Sequence, residues 1–78
     1  MVFIMPLAMA QTGKETVVKE IRGRDETKRF LASLGFVEGS SIVVVSEMGG
    51  SLIVNVKDTR VALSKGMAGK IMVQGGIS

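Results

Sequence analysis

Leu31-Ala32-Ser33-Leu34-Gly35-Phe36-Val37-Glu38-Gly39, followed after Ser40 by Ser41-Ile42-Val43-Val44-Val45, is the stretch whose reading decides the fold. It reads as a helix that stops on a glycine, a tight connection, and entry into a β-strand. Gly35 suits the left-handed position after a last helical turn, because it has no Cβ to clash there. Phe36 is then expected to fold back onto Leu31, the apolar contact that accompanies such a stop. Gly39 opens a second turn just before the β-branched run begins.

Working outward toward the N-terminus, Asp25 is placed as the N-cap of a helix over about 26–34, since its carboxylate can accept an orphan backbone N–H. Phe30, Leu31 and Leu34 form its apolar stripe, with Thr27 at the edge. Asp25 and Arg29, four apart, are spaced to pair on the exposed face. Before Gly23, the run Glu15 to Ile21 reads as a strand. Val17, Lys19 and Ile21 fall on one face and Val18 and Glu20 on the other, an imperfect alternation. Gly13 sets the turn that precedes it.

Toward the C-terminus, Ser41 to Glu47 is a strand, Gly49-Gly50 a hairpin turn, and Leu52 to Val56 the returning strand. Lys57-Asp58-Thr59 turns the chain into a short strand over Arg60 to Leu63. Ser64 to Ala68 makes a single helical turn, and Lys70 to Val73 closes the set. The expected architecture is mainly β: a small, partly open barrel of about five strands with one short α-helix. Residues 13–74 form that barrel domain. Residues 1–12 are an N-terminal segment that lays Leu7 and Met9 across the core, with Met1 and Met5 both candidate starts. Residues 75–78 are a loose tail.

The chain has 78 residues, enough for one small domain. It contains no cysteine, so no disulfide or thiolate metal site can staple it, which fits a reducing, cytoplasmic setting. It also contains no histidine, which removes the usual neutral-pH general base and the commonest transition-metal ligand. With no tyrosine or tryptophan and only three phenylalanines, it lacks a stacking platform for single-stranded nucleic acid. A net charge of +3 permits an acidic partner without demanding DNA. The apolar opening, Met1 to Ala10, has no basic residue before Lys14 and is interrupted by Pro6. It reads as neither a secretion signal nor a membrane span, which needs about 20 apolar residues.

Candidate chemistry is sparse. Of the carboxylates, only Asp25 and Glu26 are adjacent, and a helix N-terminus explains both. The serines have no histidine to activate them and no G-x-S-x-G elbow. Neither phosphate-binding glycine motif occurs, so the glycines are read as turns. The densest basic cluster is Arg22, Arg24, Lys28 and Arg29. It reads as a solvated helix face, a patch that steers an acidic protein partner, or a phosphate contact. Methionine fills irregular gaps in small cores, but Met48 beside Gly49-Gly50 is placed at a loop tip, where it is a contact point for another protein.

The order strand, helix, Leu34-Gly35-Phe36-x-x-Gly39, hairpin, Val61-Ala62-Leu63, then Ala68-x-x-Ile71-x-Val73 resembles the FeoA family of ferrous iron transport proteins. The resemblance runs from about Pro6 to Val73, and its signature is carried by Leu31, Leu34, Gly35, Phe36, Gly39, Ala62, Leu63, Ala68, Ile71 and Val73. It departs at Glu38, where many relatives carry proline, and at Ser64, where an arginine is common. The hairpin tip Met48-Gly49-Gly50-Ser51 also differs from the family's. The resemblance implies an SH3-like barrel in the cytoplasm that acts with FeoB, a membrane transporter with a cytosolic GTPase part. It implies a monomeric accessory or regulatory protein, not an enzyme, that reaches the membrane only through its partner and binds no nucleic acid. No cofactor and no metal ligand are expected; iron enters only through the transport system. The expected partner contacts are Met48, Gly49, Gly50 and Leu52 at the hairpin, with Lys28 and Arg29 as a second contact. The alternative is a small DNA-binding transcriptional regulator of the AbrB-like swapped-hairpin class, which the segment Leu34 to Gly39 and the Val-rich strands also resemble.

Overall fold

Three consecutive apolar residues near the C-terminus, Ile71, Met72 and Val73, are all buried, as befits a strand covered on both sides. In the computed structural model, which describes residues 2–76, they lie on an interior strand of one antiparallel sheet. The strands are β1 (Val2–Pro6), β2 (Glu15–Ile21), β3 (Ser41–Met48), β4 (Ser51–Val56), β5 (Thr59–Ser64) and β6 (Ile71–Gly76). Their order across the sheet is β1-β6-β2-β3-β4-β5. A short 3-10 turn covers Leu7–Met9, helix α1 spans Asp25–Ser33, and a single helical turn, α2, spans Lys65–Ala68.

The mainly β reading with a short helix holds, with six strands where about five were expected. The additional one is β1. Residues 2–6, expected as part of a segment packed on the barrel, are a strand of the sheet itself and pair with β6, from Val2↔Gly76 to Pro6↔Met72. The same ladder corrects the expected tail. Gly75 and Gly76 belong to β6, because each finds a partner in β1; Ile77 and Ser78 lie outside the described residues. Leu7 is fully buried as expected, whereas Met9 is exposed at the end of the 3-10 turn.

Two bulges shape the sheet. In β2 the pairing with β6 shifts between Val18 and Glu20, leaving Lys19 as the extra residue. Thr16 and Val18 therefore point inward, while Lys19 and Glu20 are both exposed and Ile21 is half-buried. The uneven alternation of this strand is the trace of that bulge, and its inner face is the one bearing Val18. In β3 a second shift between Val44 and Ser46 sets aside Val45. An extra residue bends a strand and increases its twist, so the sheet curls around its own apolar face. That face is filled by Val18, Ile42, Val44, Leu52, Val54, Val56, Leu63, Ile71 and Val73.

Helix α1 ends as its sequence dictates. Gly35 has φ +106°, its N–H donates to the Ala32 carbonyl (3.0 Å), and the Phe36 N–H donates to the Leu31 carbonyl (3.0 Å). These two bonds are the Schellman arrangement, and both Phe36 and Leu31 are fully buried in the core. The start of the helix differs from expectation. Arg24 occupies the N-cap position with no side-chain bond, and Asp25 is already helical. Asp25 and Glu26 then act on the helix dipole, not as caps. Among the described residues Asp25 and Arg29 form no ion pair; the pairs are Arg22–Glu20 and Lys65–Glu47. Phe30 is half-exposed, because Leu31 sits one helical step away at the centre of the buried face.

The two glycines of the opening stretch separate backbone strain from crowding. A Cβ at Gly39 (φ +91°) meets no heavy atom within 4 Å, whereas one at Gly35 lies 3.3 Å from Val56 Cγ2. Gly39→Ala is expected to lose about 1 kcal/mol of stability and Gly35→Ala about 2 kcal/mol, since the second adds packing strain to the same backbone cost. Urea unfolding of both variants checks this. Equal losses would show that the contact with Val56 is relieved freely.

Candidate functional site: the hairpin tip and the exposed helix face

The tip of the β3–β4 hairpin is built from a two-residue turn. Met48 pairs with Ser51, leaving Gly49 and Gly50 between them. Gly49 has φ +58° and Gly50 does not share that sign, the combination expected of a type II′ turn with glycine first. Met48 is 68% exposed, so a flexible apolar side chain stands at a loop end with water around it.

This tip is braced from one side by α2. The Lys65 N–H donates to the Gly50 carbonyl (2.9 Å), and the Lys65 ammonium pairs with Glu47. Ser64 is the N-cap of α2: its hydroxyl oxygen accepts from the Met67 N–H at 3.2 Å. The cap lies directly opposite Ser51 in the β4–β5 ladder, so the short helix grows out of the strand that neighbours the tip. A chain of local bonds thus holds Met48 on a defined platform.

Leu52, expected at the partner surface, is instead a core residue, 2% exposed. The two-residue turn fixes the register, and strict alternation along β4 then sends Leu52, Val54 and Val56 to the inner face. The tip offers Met48, Gly49 and Gly50 alone. Lys28 and Arg29 are exposed on α1, as expected. No hydrogen bond or ion pair among the described residues joins them to the tip. They constitute a separate surface.

The signature residues divide by role. Leu31, Phe36, Leu63, Ala68, Ile71 and Val73 are buried, Leu34 and Gly35 are half-buried, and Gly39 holds its turn with positive φ. Ala62 faces outward on β5, an edge strand. Sequence reasoning missed the exposure of Phe30 and of Val37, just beyond the helix. Helical spacing gives no signal for Phe30, since Thr27, Phe30, Leu31 and Leu34 are an i, i+3, i+4, i+7 set; only the packing of α1 on the sheet at Leu31 turns Phe30 outward. No group of three or more carboxylates gathers to hold a metal ion among the described residues.

Ser64→Ala is expected to cost about 1 kcal/mol by removing the cap of α2. Because α2 braces Gly50, amide exchange at Lys65 and Gly50 should quicken in the same variant. Unchanged exchange there would show that the tip is rigid without its brace.

Comparison with known proteins places this geometry. The FeoA domain matches residues 5–75. An Fe(2+) transport protein A of Methanocaldococcus jannaschii is 36% identical over 69 residues, which cover 88% of this chain and 84% of that one. A crystal structure described as the iron uptake regulatory protein FeoA superposes with a TM-score of 0.84 at 34% identity, covering 91% of this chain and 95% of that chain. The zinc complex of Stenotrophomonas maltophilia FeoA, described as an SH3 domain protein, gives a TM-score of 0.79 at 30% identity over 90% and 94% of the two chains. With nearly the whole barrel matched in sequence and in backbone, the chain belongs to the FeoA domain family.

Proposed function

We propose that this chain is a non-enzymatic accessory protein of ferrous iron uptake that docks on the cytosolic GTPase part of a FeoB-type transporter. The observation that carries the reading is the braced tip with Met48 exposed at its end. A flexible thioether side chain adapts to an apolar pocket, and a platform held by Ser64 and Lys65 lowers the cost of ordering it on binding. The relatives' names supply the transport context. Docking regulates the partner by favouring one of its nucleotide or conformational states, which requires different affinities for the two. Lys28 and Arg29 supply a second, electrostatic contact. The protein works in the cytoplasm, without a cofactor of its own. The six strands form one continuous antiparallel sheet, the arrangement that supports the single-barrel reading.

The test is an NMR titration of the labelled protein with the GTPase part of the cognate transporter, in its GTP-bound and GDP-bound forms. Shifts are expected at Met48, Gly49 and Gly50 and in α2, stronger in one nucleotide state. Met48→Asp should weaken binding at least about tenfold while stability moves by less than about 0.5 kcal/mol, since the side chain is exposed and lies outside the core cluster. Absence of shifts in both states would overturn the docking reading.

A further inference from the structure

The net charge of the chain is not spread over its surface. Of its ten cations, six (Lys19, Arg22, Arg24, Lys28, Arg29 and Lys70) lie on the end of β2, the loop after it, α1, and the residue before β6. Three of the seven carboxylates, Glu20, Asp25 and Glu26, share that region, so the whole excess of +3 resides there. The remaining four cations and four carboxylates cancel, in part by direct pairing of Lys65 with Glu47. Lys70 is far from the others in sequence, and the fold brings it in. The Arg22 N–H donates to the Lys70 carbonyl at 2.7 Å, and a Cβ at Gly23 would lie 3.5 Å from the Lys70 side chain. All six cations are exposed. Among the described residues only Arg22 of the six is in an ion pair, with Glu20.

An apolar group accompanies this charge. Phe30 follows Lys28 and Arg29 directly on α1 and is 51% exposed. The helix itself is balanced, Asp25 and Glu26 against Lys28 and Arg29, and the excess is carried by Lys19, Arg22, Arg24 and Lys70 over Glu20. A basic surface with a half-exposed aromatic ring on the adjoining helix suits the boundary between lipid headgroups and acyl chains, where cations meet phosphate and the ring enters the apolar layer. A rigid polyanion suits it less well. The phosphates of a duplex are fixed at one spacing, and some would be forced against Asp25 and Glu26. Lipid headgroups diffuse, so they gather under the cations and leave the carboxylates.

We propose that this pole, centred on Arg24, Lys28, Arg29, Phe30 and Lys70, is a contact surface for an anionic phospholipid bilayer. It holds the protein at the membrane directly, beyond any tether through a protein partner; it takes Lys28 and Arg29 for lipid instead of for the transporter, and its test is separable from the hairpin-docking reading because the probe contains no protein.

The experiment is co-sedimentation of the full chain with vesicles of phosphatidylcholine alone and with about one third phosphatidylglycerol. Binding is expected only to the anionic vesicles and should fall as salt is added. Two double variants carry the same net charge: Lys28→Glu with Arg29→Glu on the pole, and Lys14→Glu with Arg60→Glu on the neutral remainder. The first should lose at least about tenfold in binding, the second no more than about threefold. Phe30→Ala should weaken binding severalfold and leave the salt dependence of the wild type unchanged, which tests the same surface without touching charge. Equal losses in the two double variants, binding to uncharged vesicles as strong as to anionic ones, or displacement from vesicles by duplex DNA at equal phosphate concentration would each overturn the proposal. The last outcome would assign the surface to nucleic acid.

Discussion

Everything in this protein depends on β6 being inserted between the two strands that open the chain. Its residues pair with β1 on one side and β2 on the other, so the last strand in sequence is the one that joins the sheet together. The burial of Ile71, Met72 and Val73 in succession follows from that position. Removing apolar surface from water on both faces of one strand is a concentrated gain for a chain of 78 residues. The cost is that this pairing closes the longest loop in the molecule and must form between its two ends. Without it, β1 has no partner and β2 loses one of its two neighbours.

Around that strand, local features do the shaping. The bulges at Lys19 and Val45 curl the sheet, and Val18 shows how tightly the curl is fixed. Its N–H donates to the Ser40 carbonyl (2.9 Å), and its carbonyl accepts from the Gly39 N–H (2.8 Å). The connection after α1 is thereby bonded to the strand at the point where it bends. The Lys57-Asp58 turn is formed at some strain, both residues having positive φ without being glycine, and it is kept because Val54 and Val56 on one side and Leu63 on the other must face inward together.

The same fold leaves its surface divided by physical character. The hairpin tip is apolar, small and braced; the α1 region is basic and extended; the rest is charge-balanced. Neither of the first two surfaces contains a convergent set of reactive groups among the described residues.

The amino-acid order by itself determined the elements: the Gly35 stop, the Gly49-Gly50 turn, the alternating β4 and the capped turn at Ser64 are all set by local stereochemistry acting over a few residues. It also determined the family, because the spacing of those elements is distinctive. What only the tertiary structure decided was everything that needs two distant segments in one place. That Val2–Pro6 is a strand follows from β6 lying beside it, and that Gly75 and Gly76 are ordered follows from β1. Leu52 is inside because a register, set across the hairpin, sends it there; Phe30 is outside because the sheet meets α1 at Leu31. The gathering of Lys70 with Arg22 and the cations of α1 belongs to the same class. Local sequence fixes which way a backbone turns, but a residue's burial and its charged neighbours are properties of the chain's return upon itself, and that return is made by the hydrophobic pairing of its two ends.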